Sequence, residues 1–93
     1  QDLLCRYGGE EFAVLLPNTG LEEATQLAER LRKTIGKYDY HKELGQAYSI
    51  TVSAGVSALC SKDKIESLIK RADDGLYQAK ASGRNCVIAK SDN

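Results

Sequence analysis

The tetrapeptide Gly8-Gly9-Glu10-Glu11 is the first place where this sequence could carry chemistry. Adjacent carboxylates repel one another, so a turn that holds two of them gains little stability unless a cation joins them. Mg²⁺ favours carboxylate oxygens together with substrate phosphates, and glycines leave room for a nucleotide to approach the backbone. The residues therefore point to a metal and nucleotide site, but a turn that is merely solvated explains them equally well.

Lys80 and Arg84 form the second candidate site, at the end of a predicted helix that Gly83 would terminate. A lysine provides a mobile point charge and an arginine provides a planar fork of donors, so together they could bind a triphosphate. Cations near a helix C-terminus also complement the helix dipole, and for the pair taken alone this is the stronger explanation. The pair gains weight only beside the acidic turn.

Other polar residues give weaker signals. Asp73 and Asp74 would point about 100° apart on a helix and do not easily face one ion. His41 is the only histidine, and no Ser, Cys or acid lies near it at triad spacing, which argues against a catalytic role. Three basic residues late in the first predicted helix are expected on its solvated face: Arg30, Arg32 and Lys33.

The hydrophobic pattern predicts the elements that would position the acidic turn. Apolar residues on both sides of the turn, with Phe12 starting the second run, predict a β-hairpin. Thr19 and Glu22 match a capping box, and helical spacing after them predicts a helix that stops at Gly36. Residues 37–47 have no clear period and are interpreted as a loop or a short exposed hairpin.

The second half of the chain repeats the change from strand to helix. Residues 50–58 alternate apolar and small side chains, which predicts a strand with one buried face. Helical spacing returns over 65–76, with Asp63 or Ser61 as the N-cap, and a short strand follows at 86–89. The order strand, strand, helix, strand, helix, strand predicts an α+β fold with helices packed on a sheet.

Composition narrows the class of protein. The 93 residues hold 13 Lys+Arg and 13 Asp+Glu, so no bulk charge attracts a nucleic-acid polymer or an anionic membrane. The longest apolar run is far shorter than the roughly 20 residues of a membrane span, so we expect no membrane insertion by this segment. Three cysteines without C-x-x-C spacing favour reduced thiols and a cytoplasmic location, even if a longer parent protein is tethered to a membrane.

With the segment Arg6–Phe12 (RYGGEEF) in view, the chain resembles the GGDEF family of diguanylate cyclases in its GGEEF form. The resemblance continues through residues 28–32, 50–57, 71–80 and 83–85, so it covers essentially the whole chain. It implies a ferredoxin-like sheet with helices packed on it, as in nucleotide cyclases and polymerase palm domains. It also implies that two GTP condense to cyclic di-GMP with release of two pyrophosphates, in the presence of Mg²⁺ or Mn²⁺.

The resemblance assigns roles by position. Glu10 resembles the family's catalytic acidic residue, which also lies at the metal, and Glu11 resembles a metal-ligand carboxylate. Asp2 matches the aspartate of an R-x-x-D product-inhibition motif whose arginine would precede Gln1. Arg30 matches a secondary arginine of that site, although a solvated helix face explains it equally well. Four residues match contacts to the substrate nucleotide and its terminal phosphates: Gly8, Gly9, Lys80 and Arg84.

The sequence also departs from the family pattern. Family members carry another metal-binding Asp and the guanine-recognising residues before the hairpin, and no D-x-D-x-F-K-like segment occurs here. We therefore expect residues 1–93 to be the C-terminal portion of one GGDEF domain, with the N-terminal part of the domain missing. We expect no turnover by this chain alone, because its metal site would lack a ligand and a missing strand would leave a sheet edge open.

Three functional hypotheses follow. In the first, the parent protein is a diguanylate cyclase, a nucleotidyltransferase in signal transduction that works as a homodimer because each domain brings one GTP. In the second, a degenerate GGDEF module binds GTP or cyclic di-GMP as a sensor without turnover. In the third, a small ferredoxin-like interaction domain carries the acidic turn only as a hairpin tip. The input domain and its signal would lie before Gln1.

Overall fold

The computed structural model describes residues 3–6, 12–16, 18–39, 41–45 and 50–91. Both strands and helices occur among these residues. The strands are β1 (Leu3–Arg6), β2 (Phe12–Leu15), β3 (Ala54–Ser57) and β4 (Val87–Lys90), and the helices are α1 (Leu21–Lys37), α2 (His41–Leu44) and α3 (Ile65–Ala81). The predicted α+β class is therefore confirmed.

The described strands form two separate pairs. β1 and β2 are antiparallel, with Arg6 opposite Phe12, which confirms the predicted hairpin. β3 and β4 are parallel, with Ala54 opposite Val87. No ladder of hydrogen bonds joins the two pairs within the residues that the structure describes. Within the described ranges, the strands therefore form two separate two-stranded sheets.

Helix α3 is the crossover that a parallel pair requires, and it packs closely on β3 and β4. The close packing depends on two glycines. A Cβ atom built on Gly55 of β3 would lie 1.9 Å from the carbonyl oxygen of Ala72. A Cβ atom built on Gly75 of α3 would lie 2.9 Å from the carbonyl oxygen of Ile88. The backbone of α3 therefore lies directly against the strands, and Ala79, one turn further along, is fully buried.

Helix α1 packs on the same two strands. Its half-buried positions recur every three or four residues, which confirms the predicted amphipathic helix. The predicted capping box is wrong, because the N-cap is Gly20 and no side chain provides the cap. The predicted stop at Gly36 is wrong by one residue, because the helix continues through Lys37. A Cβ atom built on Gly36 would have no heavy atom within 4 Å.

Three further predictions need correction. Residues 41–44 form α2 in a segment interpreted as a loop or hairpin, and the N–H of His41 donates to Oδ1 of Asp39 at 3.0 Å. The strand predicted over 50–58 is shorter, because only Ala54–Ser57 pair with β4. The N-cap of α3 is Lys64, and neither predicted capping residue, Asp63 or Ser61, holds that position.

Much apolar surface stays exposed. Ala79 is the one fully buried apolar side chain among the residues whose burial is described. Several large side chains of the helices and loops are more than half exposed: Leu59, Ile65, Tyr38 and Tyr77. Within the described ranges, no helix is both long and apolar enough to span a membrane.

Candidate functional site

The hairpin strands bracket the acidic tetrapeptide in sequence. β1 ends at Arg6 and β2 begins at Phe12, and these residues face one another in the ladder. The chain between them, residues 7–11, therefore has to connect two neighbouring strand ends. The residues that it contains, and the aspartate proposed for product inhibition, lie outside the described residues: Gly8, Gly9, Glu10, Glu11 and Asp2. Their roles stay predictions.

Lys80 and Arg84 lie on either side of the end of α3. The helix ends in a Schellman motif, in which the N–H of Arg84 donates to the Ala79 carbonyl at 2.9 Å and the N–H of Gly83 donates to the Lys80 carbonyl at 3.4 Å. Gly83 has φ 109°, which confirms the prediction that it follows the helix. The motif reverses the chain at once, so both cations belong to the C-terminal end of α3.

The two cations have different surroundings. Lys80 is half-buried and lines a shallow depression on α3 together with Asp73 and Tyr77. Arg84 is exposed and does not line this depression. Asp74 is exposed and lies 3.5 Å from the ammonium of Lys70, so it belongs to a solvated ion pair. The ammonium of Lys80 in the last turn of α3 and the guanidinium of Arg84 just after the helix could contact different phosphates of one nucleotide.

Sequence reasoning missed the contacts that hold the turn after α3. Arg84 and Asn85 are left-handed, with φ of 65° and 52°. Nη1 of Arg32 donates to Oδ1 of Asn85 at 3.0 Å, and the N–H of Asn85 donates to Oγ of Ser53 at 2.9 Å. The expectation that Arg32 lies on a solvated face is therefore wrong, because α1 directs it toward this turn. An Asn so close after a glycine is a signal of left-handed backbone that could have marked the position.

An ion pair fixes the other end of α3. The Arg71 guanidinium donates to both carboxylate oxygens of Asp63, at 2.8 and 2.6 Å, and also to the carbonyl of Ala58 at 2.6 Å. The N–H of Cys60 donates to the same carboxylate at 2.7 Å. The hydrogen bond from the Arg71 guanidinium, and to a smaller extent the one from the Cys60 amide, hold the pKa of Asp63 well below the ordinary value of a carboxyl. The connection from β3 to α3 is thereby tied to the second turn of the helix.

Arg30 is exposed on α1. Because Asp2 lies outside the described residues, the proposed product-inhibition pair is not brought together by the described part of the chain. An exposed arginine is accessible to a phosphate ligand and is equally suited to a solvated helix face.

No cluster of three or more His, Cys, Asp or Glu side chains suited to a metal ion occurs in the described ranges. The donor set predicted for a metal is the carboxylate pair Glu10 and Glu11, and oxygen donors of this kind suit Mg²⁺ or Mn²⁺. Neither Cys60 nor Cys86 forms a disulfide with another described residue.

A hairpin whose strands bracket Glu10 and Glu11 in sequence, together with a parallel strand pair joined by a tightly packed helix, places the chain in the α+β class of nucleotide-cyclase-like folds. The family model "Diguanylate cyclase, GGDEF domain" matches residues 1–86. The chain belongs to the GGDEF family.

Individual relatives agree with this assignment. The response regulator PleD of Caulobacter vibrioides is 49% identical over 92 residues, which cover 97% of this chain and 20% of PleD. The active GGEEF domain of a diguanylate cyclase from Vibrio cholerae superimposes with a TM-score of 0.89 at 34% identity, covering 100% of this chain and 58% of that one. The GGDEF domain of DgcB from Caulobacter crescentus, in complex with c-di-GMP, gives a TM-score of 0.85 at 31% identity, covering 95% of this chain and 53% of that one.

This chain covers only part of each of these relatives. The chain spans about a fifth of the length of the curated relative PleD and somewhat more than half of the two solved chains.

Proposed function

We propose that the protein containing this chain is a diguanylate cyclase, which condenses two GTP to cyclic di-GMP and releases two pyrophosphates. The observation that carries the proposal is the intact GGEEF sequence between two paired strand ends in a member of the GGDEF family. The Vibrio cholerae neighbour is itself an active domain of the GGEEF form. A cytoplasmic location is part of the proposal, supported by GTP as the proposed substrate and by three cysteines without C-x-x-C spacing.

The acidic residues carry the chemical step in this proposal. Glu10 accepts the proton of the 3′-hydroxyl of one GTP, and the 3′-oxygen of that GTP attacks the α-phosphorus of the other GTP. A new 3′-oxygen to phosphorus bond forms, the bond from the α-phosphorus to the α,β-bridging oxygen breaks, and pyrophosphate leaves with the electron pair. In a second condensation the two nucleotides exchange roles, and this step closes the ring and releases the second pyrophosphate. Glu10 and Glu11 are the ligands proposed for Mg²⁺ or Mn²⁺, which when bound would stabilise charge on the phosphates.

Substrate binding is shared between the two candidate sites. Gly8 and Gly9 have no side chain to obstruct a nucleotide that lies against the backbone. Lys80 and Arg84 bind the terminal phosphates, which become the leaving pyrophosphate, so they also stabilise the charge that develops on it. The support for this role is that the Schellman motif brings both residues to one end of α3.

Residues 1–93 are proposed to be the C-terminal portion of a single GGDEF domain and to be inactive alone. In support, the hairpin packs on none of the other elements that the structure describes. The two strand pairs are not joined within the described ranges, and large apolar side chains such as Tyr77 stay exposed. Additional chain that joins the strand pairs would position the acidic turn relative to α3. Because each domain binds one GTP, the complete domain is proposed to act as a homodimer.

Product binding is proposed at Asp2 and Arg30. The DgcB neighbour binds c-di-GMP, and the exposure of Arg30 on α1 leaves it accessible to such a ligand. In the complete domain, Asp2→Ala and Arg30→Ala should each weaken cyclic di-GMP binding by about tenfold or more, the effect of losing a charged hydrogen-bonding partner. Unchanged product affinity in both variants would reject this site.

The function is tested by measuring cyclic di-GMP formation from GTP and Mg²⁺ with the complete domain held as a dimer. Glu10→Gln keeps the size of the side chain but removes the proton acceptor, so we expect the rate to fall by at least about 100-fold. Glu22→Gln removes the same charge from an exposed position of α1 and should leave the rate unchanged. A Glu10→Gln rate equal to the wild-type rate would contradict the proposal. Absence of product from the wild type, despite GTP binding, would favour a sensor.

A further inference from the structure

The turn after α3 holds three successive residues with positive φ: 109° at Gly83, 65° at Arg84 and 52° at Asn85. Glycine adopts this backbone without cost, whereas a left-handed arginine is unfavourable and a left-handed asparagine is better tolerated. Such a conformation persists at a non-glycine residue only where surrounding contacts impose it. The residue under the greatest constraint is Arg84, which is also the proposed phosphate ligand.

The constraining contacts converge on Asn85. Its N–H donates to Oγ of Ser53, immediately before β3, at 2.9 Å. Its Oδ1 accepts a hydrogen bond from Nη1 of Arg32 at 3.0 Å, and its carbonyl oxygen lies 3.4 Å from the same nitrogen. One residue of the turn is therefore held from two sides, by the segment before β3 and by helix α1.

Arg32 is itself fixed in place. Its side chain is 22% exposed and forms an ion pair with Glu29, one turn earlier in α1. An arginine that one ion pair already holds loses little further conformational freedom when it bonds a second residue. The side chain of Arg84 differs, because it is exposed and its guanidinium has no ion pair or hydrogen bond to the described part of the chain. The arrangement presents an accessible guanidinium from a fixed backbone.

We propose that Arg32 is a positioning residue for Arg84: it holds Asn85, and through Asn85 the left-handed turn, so that the Arg84 guanidinium is preset to receive the terminal phosphates of a nucleoside triphosphate. This inference rests on the proposed function and deepens it. Without the hydrogen bond from Arg32 to Asn85, Arg84 and Asn85 relax toward negative φ, and the Arg84 guanidinium no longer points toward the phosphates. The preset turn makes α1 a determinant of selectivity for triphosphates over monophosphates.

The test uses the complete domain and two probes, α,β-methylene GTP, which cannot release pyrophosphate, and GMP, which lacks the terminal phosphates. Arg84→Ala should weaken binding of the triphosphate probe by about 10- to 100-fold, as for a lost charged contact. Arg32→Gln should weaken it by about 3- to 10-fold through lost preorganisation. Neither variant should change GMP affinity. The double variant should bind no more weakly than Arg84→Ala alone, because Arg32 acts only through Arg84.

Matched variants separate positioning from charge and from folding. Lys33→Gln removes the same charge from the exposed neighbouring position of α1 and should bind as the wild type does. Arg32→Lys can still donate to Asn85 and should recover part of the lost affinity. Ser53→Ala removes the other contact to Asn85 and should shift triphosphate affinity in the same direction as Arg32→Gln. Thermal unfolding of each variant shows whether the fold persists.

The outcomes distinguish this inference from the proposed function. If Arg84→Ala weakens the triphosphate probe while Arg32→Gln binds as the wild type does, the positioning role is wrong and the proposed function stands. The same conclusion follows if Arg32→Gln weakens binding further in the Arg84→Ala background. If Arg84→Ala leaves triphosphate affinity unchanged, the phosphate role of Arg84 is wrong, and the positioning role falls with it.

Discussion

The β1–β2 hairpin and the unit formed by β3, α3 and β4 are supported in opposite ways. The β3–α3–β4 unit is held by backbone contact at Gly55 and Gly75, by the Asp63–Arg71 ion pair and by the Schellman motif after α3. The hairpin has its own ladder but packs on no other element within the described ranges. The cationic candidate site therefore lies at the end of a helix that packs on two paired strands of this chain.

Among the described residues, no other element packs on the strands that bracket the acidic candidate site. A metal site needs its carboxylates held in a fixed geometry, and an isolated two-stranded hairpin is only marginally stable in water. We infer from this contrast that the C-terminal end of α3, which is proposed to bind phosphates, is preformed, whereas the proposed metal ligands Glu10 and Glu11 would acquire their geometry from additional chain. Completion of the domain should then change the hairpin much more than the β3–α3–β4 unit.

Gly55→Ala should have the largest effect on stability. The added methyl group would meet backbone atoms of α3 at 1.9 and 2.3 Å, and backbone cannot move aside without displacing the helix. We expect destabilisation of about 3 kcal/mol or more, measured by urea unfolding followed by circular dichroism. Gly36→Ala in α1 meets no neighbouring atom and should instead stabilise by up to about 1 kcal/mol. Equal stability of Gly55→Ala and wild type would refute the close helix-strand contact.

Acid should weaken the β3–α3–β4 unit through Asp63. Because its pKa in the folded chain lies below the ordinary value of 3.8, the stabilisation is complete above about pH 4 and is lost as the pH falls below it. Asp63→Asn should lower stability at pH 7 and make the unfolding free energy less sensitive to pH below 4. Asp74→Asn, which removes the same charge from an exposed pair, should change stability by less than about 0.5 kcal/mol. An unchanged acid profile in Asp63→Asn would contradict the assignment.

A smaller effect is expected at the contact between β3 and α3 that Ser57 makes. Its Oγ donates to the carbonyl of Leu68 at 2.7 Å in a partly buried position. Ser57→Ala leaves that carbonyl without this donor and should cost about 1 kcal/mol in urea unfolding. Ser67→Ala makes the same chemical change at an exposed position of α3, and its stability should stay within about 0.5 kcal/mol of wild type or rise slightly. Indistinguishable effects of the two substitutions would argue against the hydrogen bond.

The smallest effect on the β3–α3–β4 unit should come from the hairpin. Val14 pairs with Leu4 in the ladder, and Val14→Gly should weaken that ladder because glycine is a poor strand residue. In this chain we expect the unfolding free energy of the β3–α3–β4 unit, followed by amide hydrogen exchange of α3, to change by less than about 0.5 kcal/mol. A change above about 1.5 kcal/mol would show that the hairpin supports the unit.

Local patterns predicted every described element except α2. Apolar runs identified the hairpin and the last strand, alternation identified β3, and helical spacing identified both long helices, while Gly83 marked the end of α3. Boundaries were less predictable because side chains had competing partners. Asp63, a plausible N-cap, is instead taken by Arg71 and the Cys60 amide, and Gly20 begins α1 without a side-chain cap.

The contacts that complete the cationic site could not be predicted from local sequence. Arg32 and Asn85 are separated by 53 residues, and nothing in the helical pattern of α1 distinguishes Arg32 from its basic neighbours Arg30 and Lys33. Ser53 falls in an alternating segment, where it was indistinguishable from any other small polar strand residue. Only the packing of α1 and β3 beside the turn reveals that these residues meet there.

Amide hydrogen exchange of this chain and of the complete domain tests the contrast between the two regions most directly. We predict slow exchange in β3, α3 and β4 of both proteins, and exchange in β1 and β2 that is fast in this chain and slows by at least about 100-fold in the complete domain. Equal protection of the hairpin and the β3–α3–β4 unit in this chain, with no change on completion, would contradict the account.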